Sequence, residues 1–402
     1  MTMTKKFALL ALAACLPGCA ATNNVRTTEE LAAHHDWFVN DVMDRRVELS
    51  RNMVERVVRE QDQAAASRTS EPIFDILIIS GGGERGAFGA GVIKGWGNVA
   101  DPQLRRPEFD VVTGVSTGAL IAPFAFVGTD EACDLAFDIY REPKPDWFRI
   151  RNLLSILLVR ESFADNAGLR KEIETCVNQD MLSAIADGRN HSRLLLIGTT
   201  NLDLGMLTMW DSTRLADEVV RGGKHRSIFD DVILASTAIP GVFAPVKIDG
   251  DLYVDGGVTR NIAYTTDYDF EYSVVNVWKR EHADRKFPKT RVWVIFNNQL
   301  GGPPVQLNSS WPEVAKRSLD VSVRSSTLSN LKALATSLEL FRIAEGAEVE
   351  FRLMAIPDDW RPPVKGAFKK ENMNELAEMG VKMGADPASW RKTVPNPESP
   401  GN

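Results

Sequence analysis

From Ile73 onward the chain alternates between short apolar runs and longer amphipathic or small-residue stretches. Ile73 to Ser80 (IFDILIIS) is continuously apolar and β-branched apart from one aspartate, which predicts a strand covered on both faces. Phe109 to Thr113, Leu194 to Thr200, Arg291 to Asn297 and Val349 to Ile356 read the same way. Met206 to Trp210 reads as a hairpin partner of the Leu194 strand across Asp203-Leu204-Gly205. Between these runs, Ala87 to Gly97, the stretch after Ser116, Trp311 to Glu345 and Asn372 to Gly384 carry helical patterns. Helices alternating with apolar strands predict an α/β fold, a three-layer sandwich around a largely parallel central sheet.

Two segments fall outside that pattern. Thr28 to Ala66 spaces Leu31, Trp37, Val42, Val47, Met53, Val54 and Val57 at near-helical intervals in polar chain, which predicts one or two helices on a tether, either free or packed on the main domain. The tail from Asp386 is rich in proline and reads as loose. At the N-terminus, Lys5 and Lys6 precede FALLALAACLPGC, a secretory signal too short to anchor in a membrane. The expected organisation is a signal over 1–18, a polar helical tether over 19–70, a catalytic-sized domain over 71–385 and a loose tail over 386–402. No stretch after residue 20 approaches the ~20 apolar residues that span a bilayer.

Composition narrows the function classes. The 402 residues are 44% hydrophobic and 25% charged, as in ordinary folded proteins, and can bury a large core. A net charge of −7 leaves no basic excess to neutralise phosphates and argues against nucleic acid as a partner. Beyond the signal only Cys133 and Cys176 remain. Export permits a disulfide between them, but both sit in helix-like stretches and read as buried thiols. No His/Cys cluster has zinc spacing, so neither metal nor other cofactor is expected.

Three motifs carry candidate chemistry. Gly114-Val115-Ser116-Thr117-Gly118 is a G-x-S-x-G pattern between an apolar strand and a small-residue helix, the setting of a nucleophile on a sharp strand-to-helix turn. Gly114 and Gly118 let neighbouring chain pass close, and the helix directs its unpaired N–H groups at the Ser116 hydroxyl. Gly81-Gly82-Gly83-Glu84-Arg85-Gly86 follows the first strand, where successive N–H groups can form an anion nest. The anion is either a phosphate or an oxyanion. Gly81, Gly83 and Gly86 nominally satisfy G-x-G-x-x-G, yet the acidic residue that a dinucleotide site wants about 20 residues on would be Asp101, in a loop. Asp255, in Asp251-Leu252-Tyr253-Val254-Asp255-Gly256-Gly257, ends a short apolar run before two flexible residues, where a carboxylate could take the serine proton or simply serve a turn.

Together these motifs resemble the patatin-like phospholipases, serine lipid acyl hydrolases. The family pattern runs G-G-G-x-[RK]-G, here Gly81 to Gly86; G-x-S-x-G, here around Ser116; Ala-Ser-x-x-x-Pro, here Ala235 to Pro240; and D-G-[GA], here Asp255-Gly256-Gly257. All four stand in family order over roughly Ile73 to Gly384. The resemblance implies Ser116 as nucleophile, Asp255 as general base, an oxyanion hole around Gly81, Gly82, Gly83, Arg85 and Gly86, and a phospholipid, lysophospholipid or other acyl-ester lipid as substrate. Alternatives are a general esterase, thioesterase or acyltransferase, and a non-catalytic envelope lipoprotein that keeps the fold.

The five histidines favour a Ser–Asp dyad over a triad. His34 and His35 lie in the N-terminal segment, His191 and His225 in polar turns, and His282 in the charged KREHADRK; none has an apolar strand-end setting. The N-terminal run in turn resembles a bacterial lipoprotein signal. Leu16-Pro17-Gly18-Cys19 gives a normal signal length and Leu12-Ala13-Ala14-Cys15 a better residue pattern, with Cys19 preferred. That resemblance implies export and membrane anchoring through acyl chains, with Ala20 favouring the outer membrane in a Gram-negative cell. Trp147 to Val159, apolar with interleaved arginines, reads as a lipid-contacting segment, an acyl-pocket lining or a core helix.

Overall fold

In a computed structural model, which describes residues 26–395 apart from 145–146, 148, 151–163, 166, 241, 265–270, 272 and 303–305, the apolar runs become strands of one eight-stranded sheet. Cys15, Cys19 and the signal lie outside the described residues, as does most of the segment Trp147 to Val159. In chain order the elements are α1 (Thr28–Ser67), β1 (Ile73–Ile79), α2 (Gly86–Gly97), β2 (Val111–Val115), α3 (Thr117–Val127), α4 (Asp130–Arg141), α5 (Ala167–Cys176), α6 (Gln179–Asn190), β3 (Leu194–Asn201) and β4 (Met206–Asp211). They continue with α7 (Ser212–Val220), α8 (Ser227–Ser236), β5 (Val246–Ile248), β6 (Asp251–Asp255), α9 (Val274–Glu281), β7 (Lys289–Gln299), α10 (Trp311–Glu345), β8 (Val349–Ile356) and α11 (Lys370–Gly384).

The sheet order is β8-β7-β1-β2-β3-β6-β5, with β4 paired to β3 off this path. The pairs from β8 to β3 are parallel, and those that β3 makes with β4 and β6, and β6 with β5, are antiparallel. Strand β7 shows why both faces are covered. Trp293 and Ile295 join the core beneath α2 and α11, whereas Val292, Val294 and Phe296 pack with Leu331, Leu334 and Leu338 of α10. Both faces of the strand are apolar, which leaves a continuous hydrophobic run in the sequence. The small residues of α2 serve close helix packing: a Cβ on Gly91 or Gly95 would strike the Ala377 or Val381 backbone of α11.

The chain divides into two compact units, Met1–Asp44 and Arg45–Asn402. In the first, helix α1 starts at a capping box in which Glu30 N–H donates to Thr27 Oγ1 (3.2 Å) and Thr27 N–H to Glu30 Oε2 (2.7 Å). Its remainder, from Arg45, belongs to the second unit. Met53, Val54 and Val57 bury against Phe74, Val111, Leu194 and Trp278, and Arg56 pairs with Asp110. This half is therefore part of the folded domain, the packed alternative of the two that the sequence leaves open; an apolar stripe at i, i+1 and i+4 is enough to dock it. The tail also differs from its expected looseness as far as residue 391. Trp390 is buried, with its ring 4.6 Å from Trp96 and 5.1 Å from Trp293, and Arg391 exchanges backbone bonds with Leu353. One tryptophan buries 150–250 Å² and outweighs the surrounding prolines. Residues 396–402 lie outside the described residues. Cys133 is a buried free thiol and Cys176 a half-buried one.

Strand β3 positions the site. Strand β4 occupies one edge of β3 along residues 196–201, so β2 and β6 must share the other edge. On it Val115 of β2 pairs with Gly198, and Asp255 of β6 pairs with Thr199. β2 runs parallel to β3 and β6 antiparallel, so their C-terminal ends meet head-on at two adjacent residues of β3.

Candidate active site

Ser116 follows the last residue of β2, and its backbone takes φ 55° and ψ −125°. A non-glycine residue in this region stores about 1–3 kcal/mol of strain, held here by its surroundings. Its N–H donates to Ser236 Oγ (2.9 Å), and Ser236 Oγ–H donates to the carbonyl of Gly198 (2.7 Å). The same β3 residue that receives the end of β2 thus also anchors the nucleophile through Ser236. Gly114 and Gly118 face each other with no room for a Cβ on Gly114, and Gly118 lies on the Ile79 carbonyl. Helix α3 starts at Thr117, whose hydroxyl bonds the buried Tyr140 hydroxyl.

Asp255 ends β6, only 6% exposed. Its N–H donates to the Ala238 carbonyl at 3.0 Å, and its own carbonyl accepts from Thr200 Oγ1 at 3.0 Å. Gly257 N–H donates to Asp255 Oδ1 at 2.8 Å, and the Ser116 hydroxyl is the carboxylate's other partner. Gly256 packs on the Gly198 carbonyl, where a Cβ would collide. Burial pushes the Asp255 carboxyl up from 3.8 to about 6, against the opposing bonds from Ser116 and Gly257. Among the described residues, no cation figures in the groups that act on it. It is ionised at neutral pH and more basic than an ordinary aspartate.

The glycine loop lies directly across from Ser116. A Cβ on Gly81 would stand 2.9 Å from Ser116 Cβ, so only glycine lets the loop approach this closely. Gly83 has φ +58° and turns the loop into the short 3-10 helix Gly83–Arg85. The six motif residues divide by role. Gly81 N–H is engaged by Asn261 Oδ1 (3.0 Å), and Gly86 N–H turns back to Gly83 and Glu84 carbonyls. Arg85 donates to Asn298 Oδ1 (2.7 Å), and burial lowers the pKa of its guanidinium. Among the described residues, the Gly82 and Gly83 N–H groups have no protein acceptor. They are the donors left for an oxyanion.

Asn261 is the residue that motif reading misses. It takes the Gly81 N–H on one side and donates to Thr327 Oγ1 of α10 (3.2 Å) on the other. Asn297 does similar work, donating from Nδ2 to the Ser80 carbonyl (2.8 Å) and from its N–H to Ser80 Oγ (2.9 Å). The available signal is positional: apolar strands that end in a polar residue mark the carboxyl end of the sheet, where α/β folds place ligands. The histidines are elsewhere. His191 bonds within its own helix end, His225 bonds Ser227, and His282 lies tilted against Trp278 in the cluster that holds Phe74 and Val111 at the far end of their strands.

Between α3, α4, α5 and α8 lies a largely apolar cavity of about 40 Å³. Leu120 and Phe124 line it from one and two turns into α3 beyond Ser116, and Ile233 lines it one turn before Ser236 in α8. Ile139, Tyr140 and Ile173 contribute to the opposite wall, with Glu172 among the remaining lining residues. The arrangement joins a strained serine, a desolvated carboxylate, two open amide donors and an apolar slot, the equipment for nucleophilic attack on an acyl carbonyl.

Comparison with known proteins agrees with that reading. A 212-residue stretch is 26% identical to an uncharacterized protein of Acanthamoeba polyphaga mimivirus, covering 51% of this chain and 65% of that protein, just under two thirds of its length. A family model, patatin-like phospholipase, matches residues 77–266. The stretch from Leu77 to residue 266, which holds the glycine loop, Ser116, Ser236, Asp255 and Asn261, is thus similar to the patatin-like phospholipases, and the match supports lipid acyl hydrolysis in general.

Proposed function

We propose that the protein is a lipid acyl hydrolase of phospholipase A or lysophospholipase type, working through a Ser116–Asp255 dyad and an acyl-enzyme. The observation that carries this reading is the contact between the Ser116 hydroxyl and a buried Asp255 whose carboxyl is raised to about 6. Asp255 takes the Ser116 proton as Oγ attacks the ester carbonyl. The tetrahedral oxyanion rests on the Gly82 and Gly83 N–H groups, each worth roughly 3 kcal/mol in the transition state. As the C–O bond breaks, Asp255 returns the proton to the leaving alcohol. Water then attacks the acyl-enzyme, Asp255 takes its proton, and that proton passes to Ser116 Oγ as the fatty acid leaves. The cavity beside α3 and α8 receives the acyl chain.

Covalent labelling of the protein with a fluorophosphonate tests the chemistry. Labelling is expected in wild type and lost in Ser116→Ala and Asp255→Asn, but retained when His191, His225 and His282 are replaced. A folded wild type that resists the probe overturns the hydrolase reading. Hydrolysis of phospholipid and lysophospholipid, compared with a short soluble ester, tests the substrate class. A preference for the soluble ester would favour a general esterase. The N-terminal pattern supports export and lipidation at Cys19, placing the enzyme at a membrane. Incorporation of labelled palmitate in cells, abolished by Cys19→Ala but not by Cys15→Ala, is the expected result.

A further inference from the structure

Three elements converge on the residue that follows the nucleophile. Thr117, the first residue of α3, and Tyr140, next to last in α4, are both buried. The Tyr140 hydroxyl donates to the Thr117 carbonyl at 3.2 Å, which leaves its oxygen free to accept from the Thr117 hydroxyl. The third element is the end of the glycine run. A Cβ on Gly86, where α2 starts, would stand 1.9 Å from Thr117 Oγ1 and 2.8 Å from the Tyr140 hydroxyl. Only glycine at this position lets the loop that carries the two open amides close onto the hydroxyl pair.

Core packing alone does not account for this pair. A tyrosine buried for its ring needs one partner for its hydroxyl, whereas Tyr140 holds Thr117 at two atoms, one of the backbone and one of the side chain. Nor is the Thr117 carbonyl short of a partner, because the first residue of a helix already serves the amide four residues on. The bond from Tyr140 is additional to the helix. It fixes the first turn of α3 against α4 and, through the Gly86 contact, against the glycine loop. At its other end the loop is held by Asn261, which takes the Gly81 N–H. The Gly82 and Gly83 amides lie between these two supports. Burial pushes the Tyr140 phenol above its ordinary value, so the hydroxyl remains a donor at any working pH. The ring lines the apolar cavity. One side chain thus borders the slot with its ring and braces the nucleophile turn with its oxygen.

We propose that Tyr140 is a positioning residue that sets the spacing between Ser116 and the oxyanion donors, acting through Thr117 and Gly86. Its consequence for rate rests on the hydrolase reading; its consequence for geometry does not. Tyr140→Phe keeps the ring and removes the brace, so kcat should fall at least about tenfold with KM unchanged. A boronic acid that adds to Ser116 as a tetrahedral anion should lose affinity by the same factor as kcat. Thr117→Val, which lacks the hydroxyl, should show part of the loss, and Thr117→Ser, which keeps it, should not. The double variant Tyr140→Phe/Thr117→Val should be no slower than Tyr140→Phe, because both act through one contact. Phe137→Leu, buried about one turn earlier in α4, is the control for lost stability: its melting temperature should fall and its kcat stay. A Tyr140→Phe variant with wild-type kcat overturns the proposal, as does a boronic acid affinity that does not follow kcat, or a Phe137→Leu variant that is equally slow. A folded wild type that neither cleaves esters nor binds the boronic acid sinks the hydrolase reading instead. Crystal structures of wild type and Tyr140→Phe then decide the brace: Gly86 is expected to shift relative to Thr117, and unmoved backbones at both would overturn it.

Discussion

Two buried aspartates lie at opposite ends of the same sheet, and their partners set them apart. Asp75, near the start of β1, is 3% exposed and receives the Arg291 guanidinium in a fork, Nε at 2.7 Å and Nη2 at 2.6 Å, plus the Trp293 indole N–H at 2.8 Å. Asp110, just before β2, adds Arg56 and the Asp75 N–H. Asp255, at the C-terminal end of β6, is also buried, but among the described residues its carboxylate has a hydroxyl and one amide as partners. Burial raises the Asp75 and Asp255 carboxyls alike, and at Asp75 it is opposed by the charge of Arg291. Burial at both ends therefore accompanies an ion pair that holds strands and helix together at one end, and a proton acceptor poised beside a serine at the other. The absence of a cation makes the second useful, because a paired carboxylate would be a weaker base.

Substituting each end separately breaks the comparison if it is wrong. Ser116→Ala should have the largest kinetic effect, a loss of at least about 10³-fold in kcat with the melting temperature retained. Asp255→Asn should approach that loss, whereas Asp75→Asn should leave kcat near wild type. Stability should move the other way. Asp75→Asn leaves Arg291 buried with an uncharged partner and should cost about 3–5 kcal/mol. In Asp255 the folded carboxyl holds its proton more tightly than the unfolded one. Its stabilising contribution is full below about pH 3.8 and lost as the pH rises through about 6. Asp255→Asn should therefore match or exceed wild-type stability at pH 8, by on the order of 1–3 kcal/mol, with the gain gone at pH 4. Denaturant melts of the three proteins at both pH values decide the point. An Asp255→Asn variant that is less stable at pH 8 would place this carboxylate among the structural ones.

These two ends were not equally legible in the sequence. The glycine run, Ser116 and Asp255 stand out because the chemistry demands particular residues at fixed short spacings. The Asp75 and Arg291 fork joins residues 216 apart, and no local pattern announces it. The same holds for Asn261, a lone polar residue that becomes meaningful only when Gly81 arrives beside it. The strands from Ile73 to Val349 were readable because parallel strands are apolar on both faces. The head-on meeting of β2 and β6 was not readable, since it depends on β4 blocking the other edge of β3. Trp390 was hidden for a simpler reason: the tail's prolines mask one aromatic that finds two tryptophan partners.

The next effect is a pH limb. Ionised Asp255 is the form that accepts the serine proton, so kcat/KM should fall as the pH drops through about 6 and level off above it. No histidine stands at the dyad to produce the same limb, and replacing His191, His225 and His282 should leave it in place. A limb near 4 would mean that the site is wetter than its burial indicates and that Asp255 resembles an ordinary carboxylate.

The smallest expected effect tests how the reactive end is held without charge. At the opposite end arginines brace the backbone; here Ser236 does so with a neutral hydroxyl that bridges Ser116 N–H and the Gly198 carbonyl. Ser236→Ala deletes both bonds and leaves a buried donor and acceptor unpaired, which should cost about 1–3 kcal/mol. The strained backbone at Ser116 would then relax by some fraction of its stored energy, turning Oγ away from Asp255. Because the hydroxyl orients the nucleophile and touches no substrate, kcat should fall about tenfold with KM unchanged. Arg56→Met at the other end should lower stability by a similar or larger amount and leave kcat alone. If Ser236→Ala loses stability but keeps full kcat, its bridge is structural, and the elbow holds its geometry through the packing of Gly114 and Gly118 alone.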